Sequence, residues 1–323
     1  MKQKVSIITG ASGEIGQNLI SRFNKAENKK IIALDLKHPN KKLNLYKFIK
    51  GSILDQEIIN HLSENYIIEE IFHLAAVLST KAEQNPDLAK QVNINGTLNL
   101  FNLALFQNLK HKIITKFFFP SSIAVYNANV NNQAIDENSY CNPTTIYGQH
   151  KLFCENLGIA FDLYGNEQNL KIDFRSIRFP GIISTNTIPT GGTSDYAPQM
   201  IHNAFNNKNY TCFVNKNTRL PFIVMPDAID SIIQLMNENK KTLHQNVYNI
   251  TAFNPTVTNL FDIIKTECPN FKITYDIDEM RQNIVDSWPD NINDNNAKKD
   301  WNWEPKHSLK KAFNNYIIPH LRK

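Results

Sequence analysis

The stretch VSIITGASGEIG, residues 5–16, decides the fold. A short apolar run, Val5 to Thr9, breaks at Gly10 and leads through a glycine-rich turn into helical spacing over 13–25. Buried parallel strands read as unbroken apolar runs of this kind, not as alternating ones. Gly10, Gly13 and Gly16 stand at G-x-x-G-x-x-G spacing. Glycines allow the turn and remove the Cβ atoms that would block a close backbone approach. A helix N-terminus offers N–H donors, so a pyrophosphate fits there. A glycine-rich turn by itself needs no ligand. Its place in the first strand-to-helix turn is what ties it to dinucleotide binding.

Outward from that turn the pattern repeats. KIIALD (30–35), YKFIKG (46–51), EIFHLA (70–75), KFFFPSS (116–122) and IDFRSIRFP (172–180) read as further strands, and 55–65, 86–108 and 143–164 carry helical spacing. Strands alternating with helices predict an α/β fold, a Rossmann-like doubly wound parallel sheet. After residue 180 the texture changes. Residues 181–196 read as an irregular loop rich in Gly, Thr, Ser and Pro. Helical pieces (196–207, 226–238, 256–266, 308–320) then mix with strand-like ones (210–214, 246–250, 271–275). The expected division is a dinucleotide-binding domain over 1–180, with a returning segment near 222–251. A smaller C-terminal α/β substrate lobe takes 181–221 and 252–323.

Composition narrows the function classes. With 41% hydrophobic and 20% charged residues the chain reads as globular. The net charge of +5 is spread over polar loops, and no Lys/Arg run is interleaved with aromatics, so no nucleic-acid partner is expected. The four cysteines are far apart and the histidines lack ligand spacing, so no metal site is expected. The N-terminus opens directly on the first strand and no apolar run approaches a membrane span. The expectation is a cytoplasmic protein with no membrane partner.

The second strand ends at Asp35, 19 residues after Gly16. A carboxylate there accepts ribose hydroxyls and repels a 2′-phosphate. No arginine adjoins it and Lys37 is the nearest cation, which favours NAD over NADP. The alternative is a solvated strand-end aspartate. Ser52 and Ile53 follow the third strand and suit adenine contacts. Leu74, Ala75 and Ala76 follow the fourth, where small residues let the backbone pass close to a cofactor. His73, just before them, reads as a packed core histidine.

In IYGQHK (146–151), Tyr147 and Lys151 stand four apart and share a helix face. A tyrosine with a pKa near ~10 is a poor base at neutral pH, and a neighbouring ammonium favours the phenolate. Ser121 and Ser122 close the fifth strand, at the end of such sheets where ligands collect. A hydroxyl there can hold a substrate oxygen beside the phenol, and Ser, Tyr and Lys form an acid–base set for carbinol–carbonyl interconversion. Tyr-x-x-x-Lys alone occurs by chance in many helices. After a glycine turn, a ribose aspartate and a strand-end serine pair, in that order, it carries weight.

TGASGEIG, Asp35, HLAA, NINGTLNL, PSSIAVY and YGQHK together resemble the extended short-chain dehydrogenase/reductase family, the NAD-dependent epimerases and dehydratases. The resemblance implies NAD as cofactor, Tyr147 as catalytic base, Lys151 as its tuner and Ser122 as the substrate-orienting hydroxyl. Ser121 is the adjacent alternative. The cofactor set expected on this basis also takes in Ser12, Glu14, Ile15, Leu36, Asn93 and Pro180, with Tyr147 and Lys151 again. FRSIRFPGIIS (174–184), GGTSDYA (191–197), YTCFVNKNTRLPFIVMPDAI (210–229) and RQNIVDSWPDNINDNNAKKDWNW (281–303) resemble the short-chain-type L-threonine 3-dehydrogenase branch.

That closer resemblance implies L-threonine as substrate, oxidised at its β-hydroxyl to 2-amino-3-ketobutyrate, with a functional link to a ligase that cleaves this product. It implies Ser79, Gly181, Ser194 and Asp195 as further substrate contacts beside Ser122 and Tyr147. Asp195 reads equally as the N-cap of the following helix. The glycines at 191–192 would let the loop close. The branch usually has Thr-Asp-Tyr where this chain has Ser-Asp-Tyr, and the hydroxyl survives. The helices at 86–108 and 143–164 resemble the pair through which the family forms homodimers; their apolar faces read equally as core. Arg219 either binds a phosphate or organises the lobe, and the tryptophans of 288–303 read as packing. The competing readings are a nucleotide-sugar epimerase or dehydratase and, from another class, a non-catalytic NAD-sensing protein.

Overall fold

A computed structural model of the chain describes residues 2–26, 29–127, 134–165, 170–186 and 192–322. The first half runs β1 (Gln3–Thr9), α1 (Glu14–Ala26), β2 (Ile31–Asp35), β3 (Lys47–Lys50), α2 (Gln56–Asn65) and β4 (Tyr66–His73). It continues through α3 (Ser79–Gln84), α4 (Pro86–Lys90), a π-helical turn (Gln91–Asn95), α5 (Gly96–His111), β5 (Lys116–Ser122), a 3-10 turn (Ile123–Val125), α6 (Ile146–Tyr164) and β6 (Asp173–Phe179). The second half holds β7 (Gly181–Ile183), a 3-10 turn (Thr193–Asp195), α7 (Tyr196–Phe205), β8 (Tyr210–Cys212), β9 (Phe222–Val224), α8 (Met225–Asn237) and β10 (Val247–Asn249). It ends with α9 (Val257–Glu267), β11 (Ile273–Tyr275), α10 (Glu279–Asp286), α11 (Asn295–Trp301), α12 (Leu309–Ala312) and α13 (Ile318–Leu321).

Seven strands form one parallel sheet in the order β10-β6-β5-β4-β1-β2-β3. The winding reverses between β1 and β4, and such a switch point opens a crevice at the carboxyl ends of the strands. Gly10, Asp35 and the Ser121–Ser122 pair all stand at those ends. The unbroken FFF of β5 is a consequence of burial on both faces. Phe117 packs on Phe101 (ring centroids 4.6 Å apart) and near Phe174, while Phe118 turns the other way toward Phe72. Burying each such ring contributes about 1.5–3 kcal/mol.

The structure corrects several boundaries. β4 begins at Tyr66, ahead of the EIFHLA run, because its first residues pair with Gln3, Lys4 and Val5 of β1. Glu69 and Glu70 interrupt the apolar run there, and Glu70 is held by Ser6 and Lys29. The 181–196 stretch is not irregular throughout, since β7 pairs with β9 and 193–195 form a turn; residues 187–191 lie outside the described set. In the returning segment, β10 joins the main sheet beside β6, whereas β9 pairs with β7 away from it. Helices α3, α10 and α11 stand where no element was expected. Among the described residues no helix is long and apolar enough to cross a membrane.

Candidate active site

The ends of β1 to β4 border a groove of about 560 Å³. The glycine turn supplies Gly10, Ser12, Gly13, Glu14, Ile15 and Gly16; the ends of β2 and β3 supply Asp35, Leu36, Ser52 and Ile53; the segment after β4 supplies Leu74, Ala75 and Ala76. Gly10 has φ +64°, and a Cβ there would lie 2.6 Å from Ala75 N and 2.7 Å from the Leu74 carbonyl carbon. Glycine is therefore required for β1 to turn this close to the groove wall. Asp35 Oδ2 accepts the Ser12 N–H at 2.9 Å and Oδ1 accepts the Lys37 N–H at 3.1 Å, which fixes the carboxylate at the groove. No arginine lines the groove among the described residues. A helix N-terminus with glycines and an oriented carboxylate fits a dinucleotide with a free 2′-hydroxyl.

Asn93 does not line this groove. Its side chain accepts from Val77 N at 2.7 Å and donates to Val77 O at 3.0 Å, so it shapes the wall that the cofactor would touch.

A second pocket of about 220 Å³ adjoins the groove and shares Glu14, Ile15, Leu74, Ala76 and Leu78 with it. Ser121, Ser122, Tyr147 and Lys151 all line it, and so do Ser79, Pro180, Gly181, Ser194 and Asp195. α6 is started by Thr145, whose Oγ1 accepts the Gly148 N–H at 3.1 Å; the Tyr147 N–H donates to Glu83 Oε1 at 3.3 Å. A Cβ on Gly148 would lie 2.2 Å from the Ala124 carbonyl oxygen. The helix backbone thus rests directly on the turn after Ser122, and this contact brings the phenol and the serines to one pocket. Ser122 Oγ accepts the Ala124 N–H at 3.2 Å, whereas Ser121 Oγ is buried with no partner among the described residues.

The electrostatics differ from the simplest expectation. Lys151 is buried, and its Nζ donates to Pro120 O at 2.6 Å while lying 4.5 Å from the Phe119 ring centroid and 5.5 Å from that of Tyr147. Burial holds its ammonium down to about 8, with Cys154 and Glu155 pulling upward. Burial also pushes the Tyr147 phenol above its ordinary value. The ammonium faces a carbonyl and two ring faces, so in this arrangement desolvation outweighs its pull on the phenol.

Asp195 stands at the N-cap position of α7, but its side chain makes no capping bond to that helix. Its Oδ2 accepts the Gly192 N–H at 2.6 Å and closes the 193–195 turn. Arg281, from α10, donates to Gly192 O at 2.6 Å and stacks 3.2 Å above the Phe213 ring. Thr193 Oγ1 donates to Ser79 Oγ at 3.2 Å and ties the turn to α3. Gly191, part of the expected hinge, lies outside the described residues. Trp288 lines the pocket with its Nε1 unpartnered among the described residues, beyond the packing role expected of it. Trp301 and Trp303 do pack, with centroids 5.5 Å apart. Arg219 is exposed and donates to Asn254 O at 2.6 Å, an organising contact. Glu83, Arg281 and Trp288 were not singled out as site residues by sequence, since nothing in local spacing marks them.

Comparisons with known proteins bear on the family and the fold. The NAD-dependent epimerase/dehydratase family profile matches residues 6–251. Mitochondrial L-threonine 3-dehydrogenase of Bos taurus is 34% identical, over 94% of this chain and 79% of its own length. The apo structure of a monomeric L-threonine 3-dehydrogenase from a metagenome superposes with a TM-score of 0.88 at 39% identity, covering 98% of this chain and 99% of that one. The holo form of an L-threonine dehydrogenase from Cupriavidus necator gives 0.87 at 31% identity, over 98% and 99%. A glycine-lined groove with a fixed carboxylate, on a fold shared along nearly the whole chain, leads to one conclusion: the protein belongs to the NAD-dependent epimerase/dehydratase family, with NAD as its cofactor.

Proposed function

We propose that this protein oxidises L-threonine at its β-hydroxyl to 2-amino-3-ketobutyrate. The observation that carries the reading is the small pocket of about 220 Å³ joined to the NAD groove, with Tyr147, Lys151 and both serines on its wall. Bound NAD supplies a hydride acceptor and a positive charge. Tyr147 Oη takes the hydroxyl proton, and Ser122 or Ser121 holds the substrate oxygen. Lys151 stabilises the phenolate once its ammonium turns from Pro120 O. The Asp195 carboxylate suits the substrate ammonium, and the Ser79 and Ser194 hydroxyls suit its carboxylate. Residues 1–180 with the returning segment near 222–251 act as the NAD-binding unit; 181–221 and 252–323 act as the substrate lobe.

A nucleotide-sugar reading fits less well. A diphosphate would have to lie beside Glu14 and Asp195, with Lys151 the sole cation lining this pocket among the described residues. A homodimer through α5 and α6 belongs to the same proposal. Leu109 and Phe153 on these helices are 47% and 48% exposed, whereas the metagenomic relative is described as monomeric. Sedimentation at micromolar concentration decides between them.

The test is NADH formation from NAD and L-threonine. Wild type should produce NADH, and Tyr147→Phe should lose about 10²–10⁴-fold in rate while still binding NAD. Wild type that is inert toward threonine, but turns over a nucleoside-diphosphate sugar with retained NAD, overturns the proposal.

A further inference from the structure

A buried chain of side-chain hydrogen bonds links the glycine turn to the helix of Lys151, and its protons can be counted. His73, the last residue of β4, is 2% exposed and lies between the Phe117 and Phe119 rings. Its Nδ1 is 2.9 Å from Thr9 Oγ1 and its Nε2 is 2.8 Å from Thr97 Oγ1. In a neutral imidazole one nitrogen donates and the other accepts. Thr97 decides which. Its hydroxyl lies 2.6 Å from the Asn93 carbonyl, a group that can only accept. A hydroxyl has one proton. With that proton on Asn93 O, Thr97 can only accept from the ring, so Nε2 carries the hydrogen.

Nδ1 is then the acceptor, and Thr9 donates to it. This leaves the Thr9 oxygen free to accept the Ala75 N–H at 3.3 Å. The opposite tautomer gives Thr97 two acceptors for one proton and leaves the Thr9 proton with none. Burial, followed by the nearby Lys151 ammonium, holds the imidazole down to about 3, so it stays neutral at working pH.

We infer that His73 is a positioning residue, locked in the Nε2-protonated form, that fixes the Leu74–Val77 wall of the NAD groove against the helix carrying Lys151. The wall is tied to this chain along its length. Leu74 N donates to Thr9 O at 3.1 Å, Ala75 N to the Thr9 hydroxyl, and Val77 is held at both N and O by Asn93. The Asn93 carbonyl, in the π-helical turn, also receives Cys154 Sγ at 3.3 Å, three residues past Lys151. π-Helical turns recur where a backbone group is redirected for function. The inference rests on the NAD groove alone and is independent of which alcohol is oxidised.

The test is a two-bond ¹H–¹⁵N spectrum of the full chain, labelled at histidine and recorded without NAD. His73→Gln identifies the signal by its loss. The expected pattern is a pyrrole-type Nε2 and a pyridine-type Nδ1, unmoved between about pH 6 and about pH 8. A protonated Nδ1, an averaged pair or a titrating signal overturns the inference. Thr9→Val removes the donor with little change in shape. It should shift the Nδ1 signal and weaken NAD binding about tenfold by calorimetry; Thr9→Ser should restore both. A shifted signal with unchanged NAD affinity overturns the positioning role. Should Thr9→Val not fold, Thr97→Ala frees the ring from its other side and is read against the same two measures. Neither readout needs a substrate, so the threonine reading can fail without it.

Discussion

Glu155→Gln is the substitution that tests the core of the site most directly. Tyr147, Lys151 and Glu155 recur at every fourth position of α6, so what anchors Glu155 also anchors the other two. The Glu155 carboxylate is fully buried. It receives Arg178 Nη2 at 2.7 Å and Arg178 Nε at 3.1 and 3.3 Å. Arg178 is buried too, and its other partners are Tyr126 Oη at 2.7 Å and Glu137 O at 3.4 Å. Burial works against the guanidinium's charge, but Glu155 more than compensates and holds its pKa above the ordinary value. Arginine cannot discharge in response to losing that partner. Glutamine keeps the size and one acceptor, but turns an amide donor toward a guanidinium that has only donors.

Removing one member of a buried pair costs about 3–5 kcal/mol, because the other charge stays desolvated and unpaired. That is more than half of the whole stability of a domain at the lower end of the usual range of about 5–15 kcal/mol. Urea unfolding of wild type and variant, with equal m-values, measures it. Replacing both partners, Glu155→Leu with Arg178→Met, should recover most of the loss because neither charge of the pair is left buried without the other. A single-variant loss below about 1 kcal/mol, or a double variant no better than the single, refutes the reasoning. Activity gives a second readout. Glu155 is one of the groups that raise Lys151, so its neutralisation should move the alkaline limb of the rate profile to lower pH.

Asp35→Ala removes the acceptor fixed by Ser12 and Lys37; NAD should bind about tenfold or more weakly, roughly 1.4 kcal/mol, with NADP gaining relative to NAD in competition assays. Gly148→Ala sets a methyl 2.2 Å from Ala124 O, so α6 must shift off the 123–125 turn; kcat should fall about 10²-fold with NAD affinity nearly unchanged. Arg281→Ala releases Gly192 O, and KM for L-threonine should rise several-fold with little change in KM for NAD, whereas equal changes in both would count against a local role. Lys151 is lowered from 10.5 to about 8, so between these values the unfolded chain binds more protons than the folded one and stability rises with pH. The full effect is about 3 kcal/mol, and urea midpoints of wild type against Lys151→Met across that window should show the gap closing or reversing as pH rises.

What the sequence displays is what local spacing can encode. A strand buried on both faces must be apolar at every position, so VSIIT, KIIALD and KFFF announce a doubly wound sheet without help from neighbours. The glycine turn, Asp35 after β2, and Tyr147 with Lys151 one helical turn apart depend on short-range geometry, and each is legible for that reason. β4 extends beyond the apolar run that marks it, because Glu69 and Glu70 break that run and their partners Lys4 and Lys29 lie far away in the chain. α10 is hidden for a similar cause: EMRQNIVD is largely polar, and its helical form is supported by the Asp278 cap and by packing of Ile284 and Val285.

The parts of the site that stayed hidden are the long-range ones. Arg281 reaches Gly192 across 89 positions, and Glu83 meets the backbone of Tyr147 across 64. Trp288 enters the pocket only because the C-terminal segment folds back over it. The titration of the Tyr–Lys pair was hidden too. Spacing places an ammonium near a phenol, but burial and the Pro120 carbonyl decide how much charge the phenol feels. A motif can therefore name a candidate acid–base pair while leaving its poise to the surrounding fold. In the proposed mechanism that poise depends on turning Lys151 Nζ away from Pro120 O, and the Lys151 titration is the quantity that reports it.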